Sequence, residues 1–425
     1  MTSALLLALL AQTGRAYDVD AAVRLTLEHS PGLRGLRARS AGAEDQSRSL
    51  RGRFLPAIVV TDEHQRYRDP YSIHFGPTTI LARELNTNTF VAAASQPVLG
   101  LFHLAEDKAA LDDLALAARR GEQTAEEAVA EAVQTGYLRY FEARAAEEVA
   151  RAAIAQLEEQ HQVTEARVKA GAATTADVLR VDVAAANARQ QAIQAQAQQA
   201  VARSALLLAM GFSAQDADVT LLEPRALEEA DLPALSEVDA QAAAAARRPE
   251  VEQARLAHRA ADHQARGRLL ALLPEANLEA AYVLLNGQGD FAPKDAGFVG
   301  VKVTWAVWDW GATWYAHRAA VNAAEVAAAA REDQENQVKG EASARLAGAT
   351  ASRAVVEVAQ TAIAQAEEAW RVTQALARAG SATTTDLLDA QAALTQARLN
   401  LVRAKYQRAV ATVGLQRAVG SAPGR

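Results

Sequence analysis

The sequence predicts an internally duplicated, mixed fold of long helices and alternating strands, with the strands suited to the wall of a β-barrel in a membrane. Three observations predict it. The turn GAATTAD at 171–177 returns as GSATTTD at 380–386, an offset of 209. Alanine-rich stretches at about 102–169 and 312–378 contain no proline, and each is long enough for a helix of roughly 100 Å at the usual rise. Between Pro274 and Ala306 the period changes from helical to two, with apolar and polar residues alternating.

Composition bounds the rest. Aromatic residues make up 5 % of the 425 residues, a mix rich in alanine that favours helix over a large aromatic core. A net charge of −7 and a pI near 5.7 argue against nucleic acid as a partner. The chain has no cysteine, which excludes a disulfide framework, an iron–sulfur cluster and a lipid-modified cysteine anchor.

The elements follow in order. MTSALLLALLAQTGRA, residues 1–16, reads as a secretory signal, apolar from Ala4 to Ala11 with small residues at Gly14 and Ala16. The first repeat is expected over 17–211. Ser30-Pro31 opens a helix that should end at Leu55-Pro56. A β-hairpin is expected at about 57–97, with Phe90, Ala92 and Ala94 on one face. Helices follow at about 102–169 and 174–210, then a linker over 212–247.

The second repeat is expected over 248–420. Arg248-Pro249 and Leu273-Pro274 repeat the earlier proline pairs at an offset of 218. The offset then falls to 209, so the second half is nine residues shorter between Pro274 and about Ala306. Its hairpin, about 275–306, sets Leu278, Ala280, Tyr282 and Leu284 against Asn277, Glu279 and Ala281. Val299, Val301, Val303 and Trp305 likewise alternate with Gly300, Lys302 and Thr304. One apolar and one polar face suit a water-filled membrane barrel, or else a hairpin on a soluble core. Four strands cannot close a barrel alone, and open edges cannot lie in lipid, so a membrane reading requires several chains. Helices at about 312–378 and 383–419 and a flexible tail at 421–425 complete the chain.

The duplicated turns read as helix–turn–helix tips. Gly171 and Gly380 fall where a long helix must end in a positive φ. Lys169 and Arg378 favour the negative helix ends just before them. Thr174 with Asp177, and Thr383 with Asp386, form the T-x-x-D spacing of a capping box. The copies differ at one position: Arg180 in the first stands where Asp389 stands in the second. Asp386 and Asp389 therefore share one helical face, and such acids around a pore would draw cations. The eight histidines show no metal-site spacing. Trp305, Trp308, Trp310 and Trp314 mark the passage from strand to helix, with Asp309 and Gly311 shaping a bend. They suit an interfacial aromatic belt or plain junction packing.

In SQPVLG (95–100), ARVKAGAATTADVLRVDVAAANAR (166–189), RRPEVEQARLAHRAADHQARGRLLALLPEANLEAAY (247–282), VWDWG (307–311) and ARAGSATTTDLLDAQAALTQAR (377–398) the chain resembles the TolC-like outer membrane efflux family. The resemblance covers about 17–420. It implies a homotrimer, four strands per chain in a twelve-stranded outer membrane barrel, continued by a periplasmic helical barrel. It implies a passive, gated exit duct for small molecules, metal ions or polypeptides, with no covalent chemistry and no cofactor. The implied partners are a periplasmic adaptor (membrane fusion) protein, an inner membrane transporter of RND, ABC or MFS type, and outer membrane lipids. Carried onto this sequence, Asp386, Asp389 and Asp177 are expected at the periplasmic gate. Lys169, Gly171, Thr174, Arg378, Gly380 and Thr383 are expected at the adaptor-docking tips, and Pro97, Trp305, Trp308 and Gly311 at the barrel–helix junction. A Tyr and an Arg that help latch the duct in some members correspond to Ala377 and Ala382 here.

No G-x-S-x-G, H-E-x-x-H or P-loop occurs, so an enzyme is not expected. The competing reading is a periplasmic scaffolding coiled coil. It accounts for the helices but not for two matched halves that each carry an alternating hairpin.

Overall fold

The computed structural model describes residues 15–216, 218–224 and 235–421. Most of the signal segment, part of the linker and residues 422–425 of the tail lie outside the described residues. Sixteen elements are described: β1 (Arg15–Tyr17), α1 (Val19–His29), α2 (Pro31–Gly52), β2 (Ala57–Arg66), β3 (Tyr71–Phe75), β4 (Thr78–Arg83), β5 (Asn86–Pro97), α3 (Leu101–Lys169), α4 (Thr175–Ala209), β6 (Val219–Leu221), α5 (Glu237–Arg247), α6 (Pro249–Leu270), β7 (Glu275–Asn286), β8 (Asp295–Thr304), α7 (Ala312–Arg378) and α8 (Thr384–Ala418).

They fall into two compact units. One gathers the residues up to Leu36 with Glu122–Val251 and the residues from Glu335 onward. Its largest apolar core joins α1, α3, α4, β6 and α8 through Ala22, Tyr137, Phe141, Leu207, Met210 and Tyr406. Tyr137 is fully buried, and its hydroxyl lies 2.9 Å from the Tyr17 carbonyl and 2.5 Å from that of Leu222. It thus finds a partner for its own buried hydroxyl and ties the ends of the parallel β1–β6 pair, where the Leu222 N–H also donates to the Tyr17 carbonyl. Smaller cores of alanine and valine run along the helices, as expected where small residues let helices approach closely.

The other unit comprises Arg37–Gly121 and Glu252–Gln334. It holds a four-stranded antiparallel sheet of order β2-β5-β7-β8. Each half of the chain supplies two neighbouring strands. The expected first hairpin is more elaborate than a simple turn: β3 and β4 form a second, short hairpin between β2 and β5. β7 and β8 are joined by a short turn with no such insertion, which is where the second half is nine residues shorter. β8 ends at Thr304, so Trp305 lies just beyond the strand.

Two further departures concern boundaries. The expected linker over 212–247 contains β6 and α5, and α5 matches α1 at the offset of 218. Their N-caps, Asp18 and Ser236, correspond and each accepts a backbone N–H three residues on. The duplication therefore begins earlier in the second half than at 248. Arg15 and Ala16, assigned to the signal by the sequence pattern, lie in β1.

Candidate functional site

The two tips are built alike. At the end of α3, Gly171 has φ +72°, and its N–H donates to Val168 O at 3.0 Å while the Ala172 N–H donates to Arg167 O at 2.8 Å. At the end of α7, Gly380 has φ +80°, with Gly380 N–H to Ala377 O at 3.2 Å and Ser381 N–H to Leu376 O at 2.9 Å. Both are Schellman endings, which satisfy the last carbonyls of a helix and need a residue free to adopt positive φ. Lys169 is held by Glu165 of its own helix at 2.8 Å.

The next helix then starts from its threonine. The Asp177 carboxylate accepts from Thr174 N–H at 2.9 Å and from the Thr174 hydroxyl at 2.7 Å. Asp386 accepts from Thr383 N–H at 2.8 Å and its hydroxyl at 2.7 Å, and the Asp386 N–H donates back to Thr383 Oγ1 at 3.1 Å. The hydroxyl first, and the backbone N–H after it, hold both carboxyls below the usual carboxylate range. These aspartates therefore stay charged at neutral pH. Their contribution to the tips is present above the ordinary aspartate range and is lost only as acid titrates through their lowered values.

The difference between the copies is electrostatic. In the first tip Arg180 Nη1 lies 3.0 Å from Asp177 Oδ1, so that acid is neutralised locally. In the second tip no arginine stands there, and Asp389 is exposed beside exposed Asp386. The tips are in contact: Leu388, one residue before Asp389, packs on a core that includes Leu157, Val181 and Ala185. Further along, Arg189 reaches Glu158 at 3.0 Å and Arg398 reaches Glu367 at 3.3 Å, the same bridge at an offset of 209 in each helix pair. Ala377 and Ala382, both half-buried, carry no polar group with which to latch a neighbour.

The sheet divides its residues by register. Ile58, Ala94, Ala280 and Val299 stand across from one another, and so share a face. Val60, Ala92, Phe90, Leu278, Tyr282, Leu284, Val301 and Val303 lie on that same face. That face also bears Asp62, His64 and Asn88 toward one end of the strands, and the opposite face carries Thr61, Glu63, Gln65, Thr89, Ser95, Asn277, Glu279 and Lys302 beside Val59, Val91, Val283 and Phe298. The apolar residues of the outer strands are largely bare, with Val299 76 % exposed. Strands of 10 and 12 residues match the reach of a tilted transmembrane strand. Within the chain β2 and β8 are edges.

At the junction, Pro97 closes β5 opposite Asn277, where a missing N–H costs least. Trp305 Nε1 donates to Leu272 O at 3.2 Å. Trp308 and Trp310 meet edge to face at 5.8 Å, and Trp310, 86 % exposed, adopts φ +58° ahead of Gly311 at +82°. The Asp309 carboxylate accepts the N–H groups of Gly311 and Thr313 at 3.0 and 2.8 Å and fixes the start of α7.

One constellation was not read from the sequence. Arg248, whose side chain is 3 % exposed, lies 2.6 Å from Glu250 and 2.5 Å from Glu341. Arg417 lies 2.7 Å from Glu131 and 3.6 Å from Glu250. Arg345 closes the circuit, 3.4 Å from Glu131 and 3.8 Å from Glu341. Three arginines and three glutamates thus alternate around a ring that ties α3, α6, α7 and α8 together. Burial works against the charges, but the paired groups win: Glu250 is held below its usual range and Arg248 above its own. Gly414 leaves the room that Arg345 occupies, since a Cβ there would stand 2.7 Å from the guanidinium. Among the described residues no group of three or more histidines and acids is placed to hold a metal ion. No described helix is long and apolar enough to cross a membrane.

A two-faced sheet with free edges, set in a chain of long helices that end in capped tips, defines a class of protein that lends part of a barrel wall to an assembly. The model of the outer membrane efflux protein family matches residues 22–212 and 241–421. The chain belongs to this family, whose members are outer membrane channels extending into the periplasm. Channels of the family are trimers that work with adaptors and inner membrane transporters. The family transports and is not known for catalysis. Solved structures share the fold at low identity. The outer membrane protein VceC of Vibrio cholerae is 18 % identical with a TM-score of 0.82, covering 95 % of this chain and 96 % of that one. CusC, described for its folding and transmembrane channel formation, is 17 % identical at a TM-score of 0.83, with 95 % and 92 % covered. The open state of the Neisseria gonorrhoeae MtrE outer membrane channel is 16 % identical at 0.79, with 95 % and 89 % covered. No curated protein matches the chain in sequence.

Proposed function

We propose that three copies of this chain form a passive, gated duct through the outer membrane, serving a tripartite efflux or type I secretion complex driven by an inner membrane transporter. The observation that carries the reading is the sheet. Its apolar face suits lipid, its polar face suits water, and its β2 and β8 edges need partners that other copies can supply. Three such sheets make a closed wall of twelve strands. Exposed apolar residues also run along the helices, at Leu179, Val183, Ile193, Val201 and Leu208 on α4 and at Val355, Val358, Val372 and Leu376 on α7. They follow helical spacing and suit lateral packing between copies. Trp305, Trp308 and Trp310 suit the lipid interface at the base of the barrel.

In this reading Asp386 and Asp389 are the gate acids, six in the trimer, and Asp177 is a capping acid already neutralised by Arg180. The tip residues Lys169, Gly171, Thr174, Arg378, Gly380 and Thr383 form the adaptor-docking surface. The cargo is a small molecule, a metal ion or a polypeptide. Single-channel recording in planar bilayers tests the gate. Asp386→Asn with Asp389→Asn should reduce cation preference and change conductance, while Arg180→Gln leaves preference for cations intact. Unchanged selectivity and conductance in the double variant would remove the acids from the gate.

A further inference from the structure

The polar face of the four-stranded sheet is interrupted across its middle. Val59, Ala93, Ala281 and Phe298 stand in one cross-strand row. The next row carries Thr61, Val91, Val283 and Ala296, so that Thr61 is the one polar side chain in the two rows. Charge returns only on either side of this band. Glu63 lies in the row on one side, and Glu279 in the row on the other. Glu275 and Lys302 follow beyond Glu279, and Lys302 Nζ approaches Glu279 only to 3.9 Å. Three acids against one lysine leave this face of the sheet anionic.

A wall that serves only to hold water has no need of such a band, because apolar surface kept against water is unfavourable until something covers it. Phe298 and Val59 are each 56 % exposed. A neighbouring copy does not cover them. Pairing of β8 with another copy's β2 uses the backbone groups along the strand edges, whereas side chains stand roughly perpendicular to the sheet. The band therefore stays open on its own face when the wall closes. Three copies turn it into a girdle with three Phe298 and three Val59, set between rings of acids.

We propose that this girdle is a contact site for cargo that is both apolar and cationic. The apolar body lies on Phe298 and Val59, the Phe298 ring favours a cation over its face, and Glu63 and Glu279 draw the positive charge. The site rests on the trimeric duct reading, since only a closed barrel makes this face a lumen. It acts on amphipathic cargo and lets small hydrated ions pass.

The chain has no cysteine, so one introduced thiol reports on one position. Val59→Cys, which keeps Phe298, and Val299→Cys on the apolar face are placed in the purified full-length protein in nanodiscs. Modification by a membrane-impermeant cationic methanethiosulfonate is followed by intact mass. Val59→Cys should react far faster than Val299→Cys, and tetrabutylammonium should slow the reaction of Val59→Cys. In planar bilayers, tetrabutylammonium should block the wild-type current at lower concentration than tetramethylammonium, which carries the charge without the apolar body. Phe298→Ala should raise the half-blocking concentration of tetrabutylammonium about fivefold, as for loss of one aromatic contact to a quaternary ammonium. Equal block by the two ions, or block unchanged in Phe298→Ala, overturns the girdle while the wild-type current leaves the duct standing. A Val59→Cys rate indifferent to tetrabutylammonium overturns it as well, even where Phe298→Ala does not assemble. Faster modification of Val299→Cys than of Val59→Cys puts the other face in water and has the same consequence. A wild type that passes no current overturns the duct and the girdle together.

Discussion

Arg248 shows what a single residue does in this chain. It sits at the C-cap of α5, one residue before a proline, and its side chain is almost wholly buried between Glu250 and Glu341. Removing it takes the closest partner from both glutamates and leaves Glu250 with Arg417 at 3.6 Å and Glu341 with Arg345 at 3.8 Å, a loss of about 2–3 kcal/mol for a buried network only partly broken. Arg371 makes an equally close pair with Glu368, at 2.6 Å, but in the open with side chains 71 % and 59 % exposed. Solvent and salt screen it, so it contributes little to stability. Arg248→Ala should therefore lower the thermal midpoint of the detergent-solubilised protein by many degrees, and Arg371→Ala should hardly move it. Equal shifts would mean that the ring is not a structural tie. The tip residues were legible because their chemistry is local: Gly171, Thr174 and Asp177 lie within one turn of chain, and capping depends on spacing alone. The ring was not, because Arg417 and Glu131 are 286 residues apart and nothing in a linear pattern brings them together. Gly414 carried a trace of it, as a glycine inside a helix whose missing Cβ leaves room for Arg345.

At the scale of elements, period was the reliable signal. Val299, Val301 and Val303 alternate with Gly300 and Lys302, and the observed register puts them on the face that also carries Ile58, Ala94 and Ala280. Val299→Arg should therefore cost about 2–4 kcal/mol in a membrane-embedded strand, whereas Lys302→Gln on the polar face should be tolerated. The yield of heat-resistant assembled protein from outer membranes measures both, and a tolerated Val299→Arg would place that face in water. The β3–β4 hairpin escaped notice because YSIHF and TTILAR are short and sit in a polar run without a clear alternating face. α1 and α5 escaped because the proline pairs set the first assigned helix at 31 and the second repeat at 248, although Asp18 and Ser236 were in register as N-caps. The long helices α3 and α7 were plain from their length without proline.

For the whole molecule, the unpaired β2 and β8 edges decide. A lone copy cannot lie in lipid with two rows of free N–H and C=O groups, and a lone copy in water leaves Ile58, Val60, Val299 and Val301 bare. Both costs vanish if copies join edge to edge around a closed wall. Native mass measurement of the protein extracted from outer membranes tests this most directly. The account predicts a species of three chains that survives mild detergent and dissociates on heating. A soluble monomer or dimer recovered without detergent would contradict it.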